Sequence, residues 1–311
     1  MPETTRRPEV FSGRFSSDTP KIPHPGAGRL ARAPGNAPGK MQANLLLPSL
    51  IRIFGSALDT SPQQNPNKFG FVFGLSVSLP PKTPRRMKFA LSYSCGKESS
   101  LALNRLIEAG HRPVCLLTMV RTSAGRSYFH GADPQMLRAY SEALGLPMIE
   151  CPSDGDDYAE AFERGIARAR ALGAEAVAFG DIDIEENRRW EEERCARTDM
   201  RALFPLWGAR RTELLDELFR LGFVCLVKCI DTESLPRTML GQRLTPQLAA
   251  EMAAAGIDLC GERGEYHTLV ADGPIFMRPL DFEIGPAVEL GRYAAADIRL
   301  RDANPTKETQ R

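Results

Sequence analysis

The chain has 311 residues, of which 42% are hydrophobic and 25% charged, so it can bury the core of one or two globular domains. The formal net charge is only +1 at pH 7, which excludes a strongly basic or strongly acidic protein. The apolar runs are far shorter than the ~20 residues of a membrane span, so no membrane-spanning segment is predicted.

The charge is unevenly distributed along the chain. Residues 1–86 contain 12 Lys and Arg against 4 Asp and Glu, a net charge of +8, together with 13 of the 24 prolines. The remainder contains 28 against 35, a net charge of −7. This composition predicts a disordered, basic, Pro-rich extension over 1–86. It could be a basic arm for nucleic acid or membrane, a transit peptide, or an unstructured extension before a start at Met87. The third interpretation is favoured.

The cysteines form no CxxC pair and follow no metal-binding spacing. This pattern favours a reducing, cytoplasmic compartment and argues against a disulfide scaffold or a zinc site. Two of them, Cys225 and Cys229, are expected on one face of a predicted strand, where they would pack in the core. The seven are Cys95, Cys115, Cys151, Cys195, Cys225, Cys229 and Cys260.

From Met87 onward, short apolar segments alternate with amphipathic ones. This βαβα rhythm predicts an α/β fold in which helices cover both faces of a parallel, Rossmann-like sheet. Asp133-Pro134 predicts a helix start, and Gly110, Gly145 and Gly173 fall where helices should end. Strands are predicted over 88–93, 114–119, 147–151 and 175–179, and helices over 99–109, 133–144, 157–172 and 185–201.

After about residue 203 the rhythm changes. Helices are predicted over 210–221 and 246–255, the second beginning at Thr245-Pro246, and strands over 223–230 and 269–271. We interpret 207–300 as a smaller α+β domain that binds substrate. The resulting organisation is a nucleotide-binding domain over 87–206, the substrate domain over 207–300 and a flexible tail over 301–311.

The first predicted strand runs directly into Ser94-Cys95-Gly96-Lys97-Glu98-Ser99, and a helix follows. A polar turn with Gly and Lys at a helix N-terminus can bind phosphate, because unpaired N–H groups and the helix dipole face the turn. The stretch resembles the PP-loop of the ATP pyrophosphatases, Ser-Gly-Gly-Lys-Asp-Ser. Cys95 and Glu98 depart from that pattern, and the presence of Cys95 instead of Gly predicts that no positive φ is needed there.

Further motifs extend the resemblance over residues 87 to about 275, in a specific order. The chain resembles the diphthine–ammonia ligase family, also described as adenine-nucleotide α-hydrolase-like ATP-binding proteins. The motifs that carry the resemblance are the Ser94–Ser99 loop, Tyr128-Phe129-His130-Gly131, Phe179-Gly180-Asp181-Ile182, a helix with Arg188, Trp190, Glu193 and Cys195, Pro205-Leu206-Trp207, and Gly264-Glu265-Tyr266-His267-Thr268.

The resemblance implies that ATP adenylates a substrate carboxylate, that pyrophosphate leaves and that ammonia then displaces AMP. Lys97 and Mg²⁺ would neutralise the leaving pyrophosphate, with Asp181 and Glu98 as the metal ligands. An alternative role for Asp181 is a helix N-cap. The residues expected to bind ATP are Ser94, Cys95, Gly96, Lys97, Glu98, Ser99, Ser100, Gly180 and Asp181.

The segment 262–268 concentrates acidic, aromatic and histidine side chains among glycines, and the resemblance places it at the substrate pocket. His267 could take a proton from ammonium or hold the carboxylate, and Glu265 could hold a cation. Together with Lys97, these two are the predicted catalytic residues. A hairpin entry with a surface histidine is the plain alternative, and His130 stays undecided. The residues expected to bind substrate are Glu262, Gly264, Glu265, Tyr266, His267 and Thr268.

Three functions stay open at this stage. The first is an AMP-forming amide ligase that uses ATP, ammonia and a carboxylate on a protein side chain or a small metabolite. The second is a tRNA-modifying ATP pyrophosphatase, disfavoured because residues from 87 onward are net acidic and lack CxxC. The third is a non-catalytic adenine-nucleotide sensor. Neither a membrane nor a nucleic acid is expected as a partner of the folded part, and a homodimer stays open.

Overall fold

The computed structural model describes residues 85–128 and 130–301. The predictions for the extension before residue 85, for Phe129 and for the tail after residue 301 lie outside these residues. Among the helices in the described ranges, none combines the length and apolar character that crossing a bilayer would require.

Five parallel strands and one short antiparallel strand form the first sheet. The parallel strands lie in the order β4-β2-β1-β5-β6, and β3 pairs antiparallel with the end of β2. Numbered along the chain, the parallel strands have the doubly wound order 3-2-1-4-5, whose direction reverses between β1 and β5. The six strands are β1 (Lys88–Ser92), β2 (Arg112–Arg121), β3 (Arg126–Ser127), β4 (Met148–Ser153), β5 (Ala176–Ala178) and β6 (Arg201–Leu203).

Five of the six helices begin and end within about two residues of the predicted bounds. The fourth ends at Arg197 instead of residue 201, and residues 201–203 form β6, which was not predicted. Asp133 caps α2 by accepting a hydrogen bond from Met136 N at 2.8 Å, and Gly145 ends it with φ +63°. Thr245 caps α6 in the same way through Leu248 N. The six helices are α1 (Lys97–Glu108), α2 (Pro134–Leu144), α3 (Tyr158–Ala171), α4 (Glu185–Arg197), α5 (Arg211–Arg220) and α6 (Pro246–Ala254).

The side chains of β1 alternate between two hydrophobic clusters. Phe89 and Leu91 pack with residues of α1 and α2, whereas Ala90 packs with Phe162 and Ile166 of α3. Because neighbouring residues on a strand point to opposite faces, the two clusters lie on the two sides of the sheet. The predicted α/β fold with helices on both faces is confirmed.

The second sheet has four antiparallel strands in the order β8-β7-β10-β9. The last two strands were not predicted individually, since β9 is mostly exposed and contains Gly285-Pro286, residues that are rare inside strands. A short 3₁₀ turn, Arg237–Met239, lies between β7 and α6. The four strands are β7 (Val224–Asp231), β8 (Tyr266–Asp272), β9 (Phe282–Leu290) and β10 (Tyr293–Leu300).

A bulge in β7 overturns one expectation. The register of β7 against β8 shifts between Val227 and Cys229, so the strand carries an extra residue there. Cys225, Val227 and Ile230 belong to the core, while Cys229 is only half-buried and lies outside it. The expectation that Cys225 and Cys229 share a face is therefore wrong, because the extra residue inverts the alternation.

The outer edge of β8 joins the second sheet to the first. Val270 N–H donates to the carbonyl of Cys95 at 2.9 Å, and Val270 C=O accepts from the Tyr140 hydroxyl at 2.6 Å. Both groups of Val270 therefore point away from β7, towards the PP-loop and α2. One hydrophobic cluster continues from the first sheet into the second.

Replacing the fully buried Tyr140 by Phe tests this connection. The Val270 carbonyl would lose its donor in a dry environment, so we expect the free energy of unfolding to fall by about 1–2 kcal/mol in urea titrations. Tyr128→Phe is the matched control, because its hydroxyl donates to Ser153 C=O in a partly exposed place. An equal loss in the two variants would contradict the special role of the Val270 contact.

Candidate functional site

The PP-loop lies at the carboxyl end of β1, beside the point where the strand order reverses. Gly96 is the N-cap of α1 and offers no side chain, so the loop approaches the helix N-terminus closely. Ser99 Oγ donates to Gly96 C=O at 3.1 Å and lies 3.2 Å from Ser94 Oγ. These short contacts fold the loop into a compact turn, the arrangement that binds phosphate.

Cys95 adopts φ +69°, which corrects the prediction that this residue needs no positive φ. The chain reverses here between β1 and α1, and the turn requires the left-handed conformation whichever residue occupies it. The Cys95 side chain is fully buried, and its carbonyl accepts from Val270 N. Packing and this hydrogen bond hold a non-glycine residue in a conformation that costs about 1–2 kcal/mol.

Lys97 is only 3% exposed and is held on several sides. Its ammonium donates to Cys260 C=O at 2.7 Å, lies 2.6 Å from Glu98 Oε1 and sits 4.4 Å above the ring of Tyr266. Burial disfavours its charge, but Glu98 and Tyr266 outweigh burial and hold the pKa of Lys97 above its usual value. Lys97 therefore stays protonated at neutral pH, in an ion pair with Glu98.

The segment 262–268 meets the PP-loop at its strand residues. Thr268 Oγ1 accepts from Lys97 N at 3.2 Å. Tyr266, His267 and Thr268 already belong to β8, whereas the sequence predicted the strand from residue 269. The predicted strand began too far along the chain, because the polar residues 266–268 do not show the pattern of a buried strand.

The carboxylate of Glu265 is hydrogen-bonded to backbone groups of its own loop. Its two carboxylate oxygens accept from Asp258 N at 3.2 Å and from Arg263 N at 3.1 Å. Gly264, with φ +86°, makes the turn between them. These bonds favour a structural role for Glu265, which holds the loop that precedes β8.

His130 and His267 form a pair beside the loop, with ring centroids 5.2 Å apart. The His130 ring covers Gly96 so closely that a Cβ there would lie 2.5 Å from His130 Cε1. Burial and then the charge of Lys97 lower the pKa of His267 to about 4. Burial, His267 and Lys97 also hold the pKa of His130 well below its usual value. Both rings are neutral at pH 7.

Acidic side chains gather on the side of the loop nearest β5. Gly180 packs against the start of α1, where a Cβ would lie 3.0 Å from Ser99 N. Asp181 accepts from Asn187 Nδ2 at 3.0 Å and is paired with the buried Glu191 of α4. Burial, and then the neighbouring carboxyl, raises the pKa of Glu191, and burial raises that of Asp181.

Glu262 joins this acidic side. Burial first, and then the charges of Glu98 and Asp181, raise its pKa to about 8. Within 85–128 and 130–301, no three His, Cys, Asp or Glu side chains converge closely enough to form a metal cage. Mg²⁺ commonly binds through one or two carboxylates together with water and substrate phosphates, so this donor set fits a magnesium–nucleotide complex rather than a protein-only site.

An open cleft of about 340 Å³ lies between the carboxyl ends of β1 and β2. It extends directly from the PP-loop and combines apolar walls with hydroxyl groups. Its lining includes Tyr93, Ser94, Thr118, Ser127 and Tyr158.

Two family models match most of this described region. The model described as the diphthamide synthase N-terminal domain matches residues 87–202, and the one described as its C-terminal domain matches residues 211–291. The chain belongs to the diphthamide synthase family.

Similar curated proteins agree with this family. The chain is 25% identical to a diphthine–ammonia ligase of Danio rerio over 60% of its own length and 83% of that protein. It is also 25% identical to the Homo sapiens diphthine–ammonia ligase, over 62% of this chain and 82% of the other. Among solved structures, a predicted subunit of tRNA methyltransferase from Methanocaldococcus jannaschii is 16% identical, with a TM-score of 0.34, covering 62% of this chain and 100% of that one.

The structure buries three polar residues to which the sequence assigned no role, and two of them, Glu191 and His130, lie beside the PP-loop. Glu191 stands in a charged run, yet it lies four residues from Asn187 and from Cys195, on the buried stripe of α4. His130, left undecided, is 6% exposed and covers the loop. Lys228 is buried at the bulge in β7.

The alternative role of Asp181 as a helix cap is wrong. The N-cap of α4 is Ile184, three residues later, so the carboxylate of Asp181 is available for another purpose. Glu186, Arg189 and Glu192 of the same helix are exposed, as the sequence predicts.

The strain at Cys95 can be measured by comparing two substitutions. Cys95→Ala removes the thiol and keeps the unfavourable φ, whereas Cys95→Gly removes the thiol and relieves φ. We expect the Gly variant to be more stable than the Ala variant by about 1 kcal/mol in urea unfolding, because glycine adopts this conformation freely. An Ala variant as stable as the Gly variant would contradict the strain.

The neutral histidine pair gives a pH prediction. NMR titration of the Cε1–H signals, assigned with His130→Gln and His267→Gln, should show both rings neutral at pH 6, where an exposed histidine with a pKa of about 6.5 is mostly charged. The unfolded chain takes up these protons at higher pH than the folded chain. The free energy of unfolding should therefore fall as pH is lowered from about 6.5 towards 4. A midpoint above about 6 for either ring would disprove the assignment.

Proposed function

We propose that this chain is an ATP-dependent ligase of the diphthine–ammonia ligase type, which adenylates a carboxylate and then converts it to an amide. The observation that carries the proposal is the joining of the PP-loop to β8, through Lys97 N to Thr268 and Val270 N to Cys95. A loop suited to phosphate and a segment rich in polar side chains thereby share one site.

The cleft between β1 and β2 is suited to the adenosine of ATP, and the PP-loop to its phosphates. Breaking ATP between the α- and β-phosphates moves negative charge onto the departing pyrophosphate. The buried ammonium of Lys97 and the positive end of α1 are fixed before the reaction, so they stabilise this charge without reorganising. Mg²⁺ on Asp181 and Glu98 would add further positive charge at the phosphates.

The proposed reaction has two chemical steps. A carboxylate oxygen of the acceptor bonds to the α-phosphorus, and the bond to the bridging oxygen of pyrophosphate breaks. Ammonia then bonds to the carbonyl carbon, and AMP leaves with the electron pair of the C–O bond. The nitrogen loses one proton, and the neutral imidazole of His267 can accept it.

For the acceptor we propose a chemical class, a carboxylate, and not a single compound. The relatives are named diphthine–ammonia ligases, so a diphthine-like carboxylate on a protein side chain is the first candidate. A small metabolite carboxylate is the second. The residues best placed to receive it are those of β8 that face the loop, above all His267 and Thr268.

The test uses the full chain with ATP, Mg²⁺, ammonium and fractions of cell protein, metabolite and tRNA. AMP and pyrophosphate should form with a protein or metabolite fraction. Lys97→Ala should slow their formation by roughly a hundredfold or more, because a fixed charge at the leaving group is lost. Lys88→Ala, which changes an exposed lysine at the other end of β1, is the matched control and should retain full activity.

The remaining outcomes decide between the alternatives. AMP formation that requires only the tRNA fraction would favour a tRNA-modifying pyrophosphatase. Tight ATP binding with no AMP from any fraction would favour a nucleotide sensor. Activity that survives Lys97→Ala would disprove the proposed role of the loop.

A further inference from the structure

Lys228 is a buried lysine that the mechanism above does not use. It lies at the β7 bulge and is only 8% exposed. Bulges are common beside functional sites, where they turn a side chain in a new direction. Here the bulge turns Lys228 inward at a position that regular alternation would assign to the opposite face.

The surroundings of Lys228 do not neutralise it. Its ammonium donates to Ala296 C=O, where the pairing of β7 with β10 ends. Among the described residues no carboxylate lies within ion-pair distance, although Asp297 and Asp133 act from farther away. A lysine ammonium has three donors, so two are left for another acceptor. A buried cation without an anionic partner is costly, which points to a ligand.

A second unsatisfied group lies nearby. His130 Nδ1 is buried without a hydrogen-bond partner. The His130 ring is within electrostatic range of Lys97 on the PP-loop and also of Lys228. His267, the partner of His130, pairs across the strands with Cys229, the residue next to Lys228.

Lysine is scarce in this chain, which makes the burial of Lys228 more informative. Only Lys88, Lys97 and Lys228 occur within 85–128 and 130–301, and two of these three, Lys97 and Lys228, are buried. Arginine provides the positive charge in most other places.

We propose that Lys228, with His130 beside it, binds the carboxylate of the acceptor and presents it to the α-phosphate of ATP. The inference rests on the proposed ligase function and adds the group that recognises the acceptor. The ammonium holds one carboxylate oxygen. A second donor of the same ammonium holds the other oxygen, and the neutral His130 ring, whose N–H is directed to the Ser94 backbone, adds no competing charge.

Butyrate is the probe, and its neutral amide, butyramide, is the matched control ligand. Binding is measured by saturation-transfer NMR on the full chain in the presence of a non-hydrolysable ATP analogue. We expect the wild-type protein to bind butyrate at millimolar concentration and to bind butyramide much more weakly. This readout does not require turnover. The anion site can therefore be confirmed even if the proposed ligase reaction fails, and the ligase reaction can be confirmed even if the anion site fails.

Three variants separate anion binding from a structural role. Lys228→Gln keeps a donor for Ala296 C=O and removes the charge, and Lys228→Met removes both. Each should weaken butyrate binding roughly tenfold or more, because a charge-assisted hydrogen bond is lost. Lys228→Arg should retain binding, and ATP affinity should be unchanged in all three. Butyrate binding by Lys228→Gln at wild-type strength would disprove the proposal, as would no binding by the wild-type protein.

The pH dependence gives an independent check. Burial, and then Arg126, lower the pKa of Lys228 to about 8, while Asp297, Cys229 and Asp133 oppose the shift. Butyrate binding should therefore weaken as pH rises through 8, since the ammonium loses its proton. Ionisation of Glu262 would act in the same direction. In Lys228→Arg the guanidinium keeps its charge above pH 8, so butyrate binding should persist there. A pH profile of this variant identical to that of the wild-type protein would contradict the proposal.

Discussion

The site depends on one contact, the docking of the outer edge of β8 against the PP-loop. Val270 uses both of its backbone groups for this contact, and Thr268 receives the first N–H of α1. Without it, the loop would have only the residues of its own sheet to fix its shape. With it, the loop is covered by side chains from a second sheet that is distant in sequence. The phosphate-binding element and the segment suited to an acceptor are therefore positioned by the same few hydrogen bonds.

This docking explains why costly features survive at the loop. Cys95 is held at positive φ by burial and by Val270, and Lys97 is buried because Glu98 and Cys260 surround its ammonium. On the side of the loop nearest β5, Asp181 and Glu191 are buried next to each other. Burial disfavours two negative charges there, so the pKa values of both carboxyl groups are raised. A cation bound there would displace protons, which couples metal binding to pH. Strained and perturbed groups of this kind cluster at functional sites.

Local sequence signals predicted four of the five parallel strands of the first sheet and the position of the PP-loop, since a strand, a Gly-Lys turn and a helix cap are each encoded within a few residues. The short strands β3 and β6 were not predicted. Features that depend on contacts distant in sequence were not predicted. The φ of Cys95 follows from the geometry of the turn and is held in place by Val270. The bulge that buries Lys228 is a property of pairing between strands. Glu191 was hidden in a charged run, although its spacing from Asn187 and Cys195 marks the buried face of α4.

The arrangement also addresses the main electrostatic difficulty of the proposed reaction. A carboxylate nucleophile and a triphosphate are both anions, and two unit charges ~4 Å apart repel by about 4 kcal/mol at an effective dielectric constant of 20. The site supplies two ammonium groups, Lys97 and Lys228, one for each anion. The His130–His267 pair stays neutral, so it adds no further positive charge to the site. Neutral imidazoles can also accept a proton. Burial is the main cause of the low pKa values of the pair, and the charge of Lys97, which would meet the phosphates, lowers both further.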